Sequence, residues 1–368
     1  MSGIFIGARV RAQREALGFT QEAVARHLGF NDRQTLSAIE TGERRVSAEE
    51  LVRFAEVLAT PLDFFTDPFL LVGEGAFSWR QSGVPAHDLN AYEGDAGRLI
   101  ALHRALGAAL GQPPALIRPT LALTKASSFE AAEAAGERFV AQYRLGDVPS
   151  RRLPEVMERD LGILVLMVDA IRGVSGAACH LPELDAVLIN RGEVPGRRNY
   201  DLAHELFHVL TWDKMPPERV EDTERLGRGR VEQLADNFAA AVLMPRSALD
   251  RFGPWADLED ATLADRLNAA AEELGVTSSA LRWRLVAIGA LPKAVATAID
   301  PGLLRNNGRH GRARLTPPLF SRAFAERLAA AIDAGRISAR RAADVLGVDV
   351  DDLEVICAAH GIALELGM

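Results

Sequence analysis

His204 and His208 stand four residues apart with Glu205 beside the first, in a stretch of helical character from Tyr200 to Trp212. On an α-helix, residues four apart share one face. Both imidazoles can then reach one metal ion, and Glu205 projects close to the water such an ion would hold. This motif constrains the chain more than any other feature. Residues 200–212 have to be helical, and a second segment has to present a third ligand to that helix. Two histidines and one carboxylate around zinc, with a fourth position open, are the ligand set of a metallopeptidase.

The second segment is Val231-Glu232-Gln233-Leu234-Ala235-Asp236-Asn237-Phe238-Ala239-Ala240-Ala241-Val242-Leu243-Met244-Pro245. Leu234, Ala235, Phe238, Ala241 and Val242 form an apolar face at helical spacing, and Pro245 ends the run. Glu232 and Asp236 lie one turn apart on another face, so they can meet the same neighbour. Glu232 is read as the third ligand. Asp236 is placed to accept a hydrogen bond from the free ring N–H of a ligand histidine, which fixes its tautomer and basicity.

The run Arg197-Arg198-Asn199-Tyr200-Asp201-Leu202-Ala203-His204-Glu205-Leu206-Phe207-His208, followed by Glu232-x-x-Ala235-Asp236-x-Phe238-Ala239-Ala240-x-x-Leu243-Met244-Pro245, resembles the ImmA/IrrE family of zinc metallopeptidases. The resemblance covers roughly residues 90–300 and implies a thermolysin-like pair of active-site helices with a small β-sheet. It implies one zinc ion per chain on His204, His208 and Glu232, with Glu205 as general base. It also implies limited proteolysis of a repressor, which derepresses genes of stress response or mobile-element transfer. No motif singles out the group that stabilises the transition state. Tyr200 and His180 are the candidates by position alone.

A chain of 368 residues exceeds one ordinary core and suggests two or three domains. The content, 48% hydrophobic and 25% charged, is that of a soluble globular protein. Cys179 and Cys357, the two cysteines, leave no room for a disulfide framework or a cysteine-rich metal site, which fits a reducing cytoplasm. Met1 to Arg9 reads as neither a signal peptide nor an anchor, and no segment is apolar enough for a membrane span. The net charge of −8 argues against sequence-independent coating of nucleic acid, though not against a small reading head.

Such a head is expected over residues 1–66. Five short helical segments follow one another: Ile6–Leu17, Thr20–Leu28, Arg33–Thr41, Ala48–Leu58 and Pro61–Phe65. Thr20 is a suitable N-cap, Gly29 a helix stop, and Asn31 or Asp32 a cap for the third segment. Helix, tight turn and helix at this spacing read as a helix-turn-helix. The run Gly18-Phe19-Thr20-Gln21-Glu22-Ala23-Val24-Ala25, then Gly29, then Leu36-Ser37-Ala38-Ile39-Glu40-Thr41-Gly42, resembles the XRE/Cro-type family. The turn Gly29-Phe30-Asn31-Asp32 is one residue longer than that family's usual spacing. The resemblance implies a five-helix domain that binds double-stranded DNA with its third helix in the major groove. Arg33, Gln34, Thr35 and Ser37 are the candidates for base edges, and Gln21, Arg44 and Arg45 for the backbone. The eight arginines of residues 1–70 face ten acids, so the head is not basic.

Between and after these parts, residues 71–90 read as a linker and 91–300 as the peptidase domain. Ala91–Leu110 and Phe129–Tyr143 read as helices, and Gly162–Asp169, Gly176–Leu181 and Asp185–Asn190 as short strands. Trp212 to Arg230 reads as a loop over the site. In the helical stretch 258–290, Leu281 and Trp283 are expected in the core. Residues 301–317 form a basic connector that includes His310, and 318–368 a small helical unit with Cys357 on an apolar face.

The expected fold is α+β and mostly helical. The expected protein is a cytoplasmic zinc endopeptidase joined to a DNA-binding head, cleaving a repressor or antitoxin-like protein, with a homodimer expected on a two-fold operator. The rival expectation is a helix-turn-helix regulator whose metallopeptidase-like domain senses without turnover.

Overall fold

The computed structural model describes residues 3–112, 116–222, 229–255, 258, 260–305 and 316–366. The elements in chain order are α1 (Gly3–Ala16), α2 (Gln21–His27), α3 (Arg33–Glu40), α4 (Ala48–Val57), α5 (Leu62–Thr66), β1 (Ala76–Gln81), α6 (Ala86–Ala109), α7 (Phe129–Gln142), α8 (Pro149–Arg159), β2 (Leu164–Val168), β3 (Val174–His180) and β4 (Asp185–Asn190). They continue with α9 (Pro195–Thr211), β5 (Val220–Asp222), α10 (Arg230–Leu243), α11 (Arg246–Leu249), α12 (Asp260–Leu274), α13 (Ser278–Ala287), α14 (Lys293–Ala298), α15 (Arg322–Asp333), α16 (Ala339–Leu346) and α17 (Val350–Ala359). The fold is α+β and mostly helical.

The chain forms two compact units. Residues 1–76, 86–113 and 326–368 make the first, and residues 77–85 and 114–325 the second. In the first unit, α1–α5 close over Val10, Val24, Leu28, Leu36, Ile39, Phe54, Leu58 and Phe65. Helices α2, α3 and α4 begin where side chains cap them. Thr20 accepts from the Ala23 amide, Asp32 from the Thr35 amide, and Ser47 forms a reciprocal capping box with Glu50. The long turn before α3 is thus closed by Asp32, one of the two caps expected. The C-terminal helices α16 and α17 group with this unit. Arg341 of α16 reaches Asp67, just past α5, at 2.9 Å. The acids at the start of α17 serve the helix itself, with Asp349 and Asp352 forming its capping box.

Residues 71–90 are not a plain linker. Glu74 is buried between Arg9 and Arg104, at 3.1 and 2.7 Å. Arg9 also donates to the carbonyls of Phe64, Asp67 and Leu70. Two residues later the chain enters β1, and α6 starts at Ala86. Composition suggested a connector because Gly, Pro and Asp punctuate this stretch; pairing with a distant strand overrides that local signal.

The second unit holds a five-stranded sheet in the order β2-β4-β3-β1-β5. β2 and β4 are parallel, β3 and β4 antiparallel, and β1 runs parallel to β5 with Arg80 opposite Glu221. The three strands expected from sequence are β2, β3 and β4. Residues 223–228 of the loop expected over 212–230 lie outside the described residues, and its earlier part contributes β5. Most of the basic connector, with His310, also lies outside them. Leu281 is buried as expected, whereas Trp283 is 44% exposed. Leu281 and Leu285 define the buried face of α13, and Trp283 falls on the other side beside Arg282.

Gly136 on α7 allows the close approach of α10. A Cβ there would meet the Phe238 carbonyl oxygen at 2.7 Å and the Ala241 Cβ at 2.8 Å. Gly136→Ala should therefore force α7 and α10 apart and destabilise the protein by about 1–3 kcal/mol, read as a lower urea midpoint. In the first unit, His103 on α6 is buried and accepts from Arg327 Nη1 at 2.6 Å. Burial first, and then the Arg327 charge, push its pKa down to about 3. An unfolded histidine titrates near about 6.5, so the native state binds fewer protons between those values. The associated stability is present above about pH 6.5 and lost as pH falls toward about 3. Urea midpoints measured across this window should fall less steeply with acidification in His103→Gln than in the wild type.

Candidate functional site

α9 and α10 lie side by side in the second unit, and both carry apolar faces into one core. Leu202, Ala203, Leu206 and Phe207 of α9 meet Leu234, Ala235, Phe238 and Val242 of α10 there. The Phe207 and Phe238 rings stand 5.6 Å apart. Pro195 opens α9, where its missing N–H is no loss. The faces left after this packing bring His204, His208 and Glu232 together.

His204 Nε2 is 3.1 Å from His208 Nε2 and 3.1 Å from Glu232 Oε2, and His208 Nε2 is 3.3 Å from the same oxygen. Ligands at about 2.0–2.1 Å from a tetrahedral zinc stand about 3.3 Å from one another. The three atoms thus have the identity and the mutual spacing that a metal of this kind needs. Both histidines are buried. The lone pairs of two imidazoles and a carboxylate repel at this separation unless a cation or shared protons lie between them. Burial alone would raise the Glu232 carboxyl, but its contacts with His204 and His208 outweigh that and hold it well below the usual range.

Asp236, one turn on from Glu232, takes the outer nitrogen of His204, with Nδ1 to Oδ1 at 3.0 Å. Glu205 is 1% exposed and lies beneath β3, with its Cγ 3.8 Å from where a Cβ on Gly176 would stand. Burial, against the pull of His204 and Arg80, pushes its carboxyl up to about 8. Tyr200 donates its hydroxyl to the Asp236 carbonyl at 2.9 Å and so buttresses α10. His180 pairs with Asp185 at 2.7 Å and stacks on Trp212. Neither belongs to the ligand cluster.

Three residues at the site were missed from sequence. Arg80 of β1 donates from Nη1 to His204 Nε2 at 2.9 Å and to both oxygens of Glu221 at 3.1 and 2.9 Å. Its Nε lies 3.1 Å from Asp201 Oδ1, an ion pair without hydrogen-bond alignment. Asp201 lies three residues before His204 on the same helix and is buried. Its position one turn from the first histidine was a signal that could have been read. Arg80 and Glu221 are 141 residues apart and gave none.

In the first unit, Arg33 and Gln34 are exposed at the start of α3, and Thr35 and Ser37 are half-buried. Both the amide and the hydroxyl of Thr35 bond to Asp32. Arg45 is exposed, Arg44 is paired with Glu50 at 2.7 Å, and Gln21 donates to Glu40 at 2.8 Å.

Residues 6–63 match the helix-turn-helix domain family, and residues 161–285 match the IrrE N-terminal-like domain family. The chain carries a helix-turn-helix domain and an IrrE-like domain. Over 83 residues it is 37% identical to an uncharacterized transcriptional regulator in the ATPase CF(0) region of Rhodospirillum rubrum, covering 23% of this chain and 66% of that protein. Over 62 residues it is 36% identical to an uncharacterized HTH-type transcriptional regulator of Sinorhizobium medicae (strain WSM419), covering 17% of this chain and 44% of that one. The matches thus span just under two thirds and under half of these relatives' lengths. The apo form of the competence regulator ComR from Streptococcus vestibularis aligns over 81% of this chain and 89% of its own at 13% identity, with a TM-score of 0.17.

The IrrE-like domain thus carries a His, His, Glu cluster able to chelate a metal, with Asp236 behind it. Asp236→Ala should lower zinc affinity by about 10- to 100-fold, the range usual for partners behind a ligand histidine. Competition with a chromophoric chelator measures this directly.

Proposed function

We propose that the protein is a cytoplasmic zinc endopeptidase carried by a DNA-binding domain, and that it cleaves a repressor or antitoxin-like protein. The convergence of His204 Nε2, His208 Nε2 and Glu232 Oε2 beside a buried Glu205 carries this reading. His204, His208 and Glu232 would hold zinc, which when bound would supply a Lewis acid for the scissile carbonyl and acidify a water. Glu205 takes the proton of the attacking water on a carboxylate oxygen and hands it to the departing amide nitrogen. Asp236 accepts the Nδ1 proton of His204, so the Nε2 lone pair faces the cluster. Burial removes water that would weaken these charges.

The helix-turn-helix domain brings this chemistry to DNA. Arg33, Gln34, Thr35 and Ser37 reach base edges, with Gln21, Arg44 and Arg45 toward phosphates, on an operator whose two-fold symmetry calls for a homodimer. Gathering protease and DNA-bound substrate at one promoter raises their effective concentration.

The test is zinc content of the purified protein beside His204→Ala and Glu232→Ala, followed by incubation with repressors encoded nearby. About one zinc per chain is expected in the wild type and none in either variant. Glu205→Gln should keep the metal and lose cleavage by about 10²- to 10⁴-fold. Zinc retained in both ligand variants, or cleavage undiminished in Glu205→Gln, would overturn the assignment.

A further inference from the structure

The ligand cluster holds a cation of the protein's own. Arg80 is 6% exposed and is held from both sides, by Asp201 on α9 and by Glu221 on β5. Its Nη1 lies within hydrogen-bond distance of His204 Nε2, the nitrogen through which that histidine would ligate. Two of the acids around the site, Asp201 and Glu221, are thus matched to a guanidinium.

We infer that Arg80 is a built-in brake on metal loading, setting the zinc affinity of the cluster below what its three ligands alone would give. The inference rests on the metal-site reading proposed above. Two routes lead to the same sign. If the guanidinium stays in place when zinc binds, a fixed positive charge sits beside a divalent cation in a buried setting, where charges interact strongly. If it swings away, its ion pairs with Asp201 and Glu221 are broken or remade, and breaking a buried pair is unfavourable. Arginine suits this role because it stays protonated under all conditions the protein meets, so the brake does not release by losing its proton.

The geometry also separates this role from ordinary structural support. A residue present only to hold β1 against β5 would satisfy Glu221 alone. Arg80 extends past that partner to a ligand atom on another element. Its hold on Asp201, three residues before His204, links the brake to the helix that carries both histidines.

The test is zinc affinity of the full-length protein, measured by chelator competition with zinc alone as the probe. Arg80→Met should bind zinc about 10- to 100-fold more tightly than wild type, by relief of the like-charge repulsion. Arg80→Lys, which keeps a charge, should stay nearer the wild-type value. Because Arg80→Met leaves the buried Asp201 without its main partner, the doubly substituted Arg80→Met/Asp201→Asn protein is measured as well. It removes one charge of each sign and should also bind more tightly than wild type. Equal or weaker affinity in folded Arg80→Met and in the double variant overturns the brake and leaves the metal site standing. No zinc in any of these proteins overturns the metal site and the brake together.

Discussion

The contact between α9 and α10 is the constraint on which the site depends. Neither helix carries a complete ligand set. The two histidines are fixed relative to each other by one turn of α9, but Glu232 reaches them only if α10 lies at a defined distance and rotation. That distance is set by what fills the core the two helices share: Phe207 against Phe238, with Ala203, Ala235 and Ala239 also buried in it. Gly136 lets α7 pack closely on α10 as well. A close-packed interior transmits such constraints because it has little room to relax.

Most of the ligand set was legible in the sequence because each half of it is local. His204, Glu205 and His208 fall within two turns of one helix, and Glu232 and Asp236 within one turn of another. Helical periodicity alone places each group on a face. The strands β2–β4 were legible as apolar runs bounded by turn residues. Arg80 was not, since the information that makes residues 76–81 a strand lies in residues 220–222. The stretch around β1 contains Gly, Pro and Asp, which favour turns, and only the long-range pairing overrides them. Trp283 was misread for the opposite reason. Its size suggested burial, while the spacing of Leu281 and Leu285 already put the core on another side of α13.

In the first unit, several charges are matched to one another inside the fold. The ten acids of residues 1–70 exceed the eight arginines, but Glu40 is buried and paired with Arg14 at 2.6 Å. Glu40 also receives Gln21, so this glutamine is held by the fold before any partner approaches. Glu50 is occupied by its capping box and Arg44. Each of these pairs takes one arginine out of play with one acid, so the excess of acids stands, while Arg33 and Arg45 remain exposed.

The route of the chain through β1 bears on how the protein can be divided. Residues 77–85 group with the second unit, while the residues immediately before and after them group with the first. The units are therefore not beads on a string. A fragment beginning at residue 91 would lack a strand from the interior of its own sheet, leaving β3 with an open edge where β1 had been. Exchanging the DNA-reading helices for those of a relative would have to preserve this excursion, or the sheet would be left incomplete. The boundary that serves to separate the two functions on paper runs through a loop of chain that the second unit has borrowed from the first.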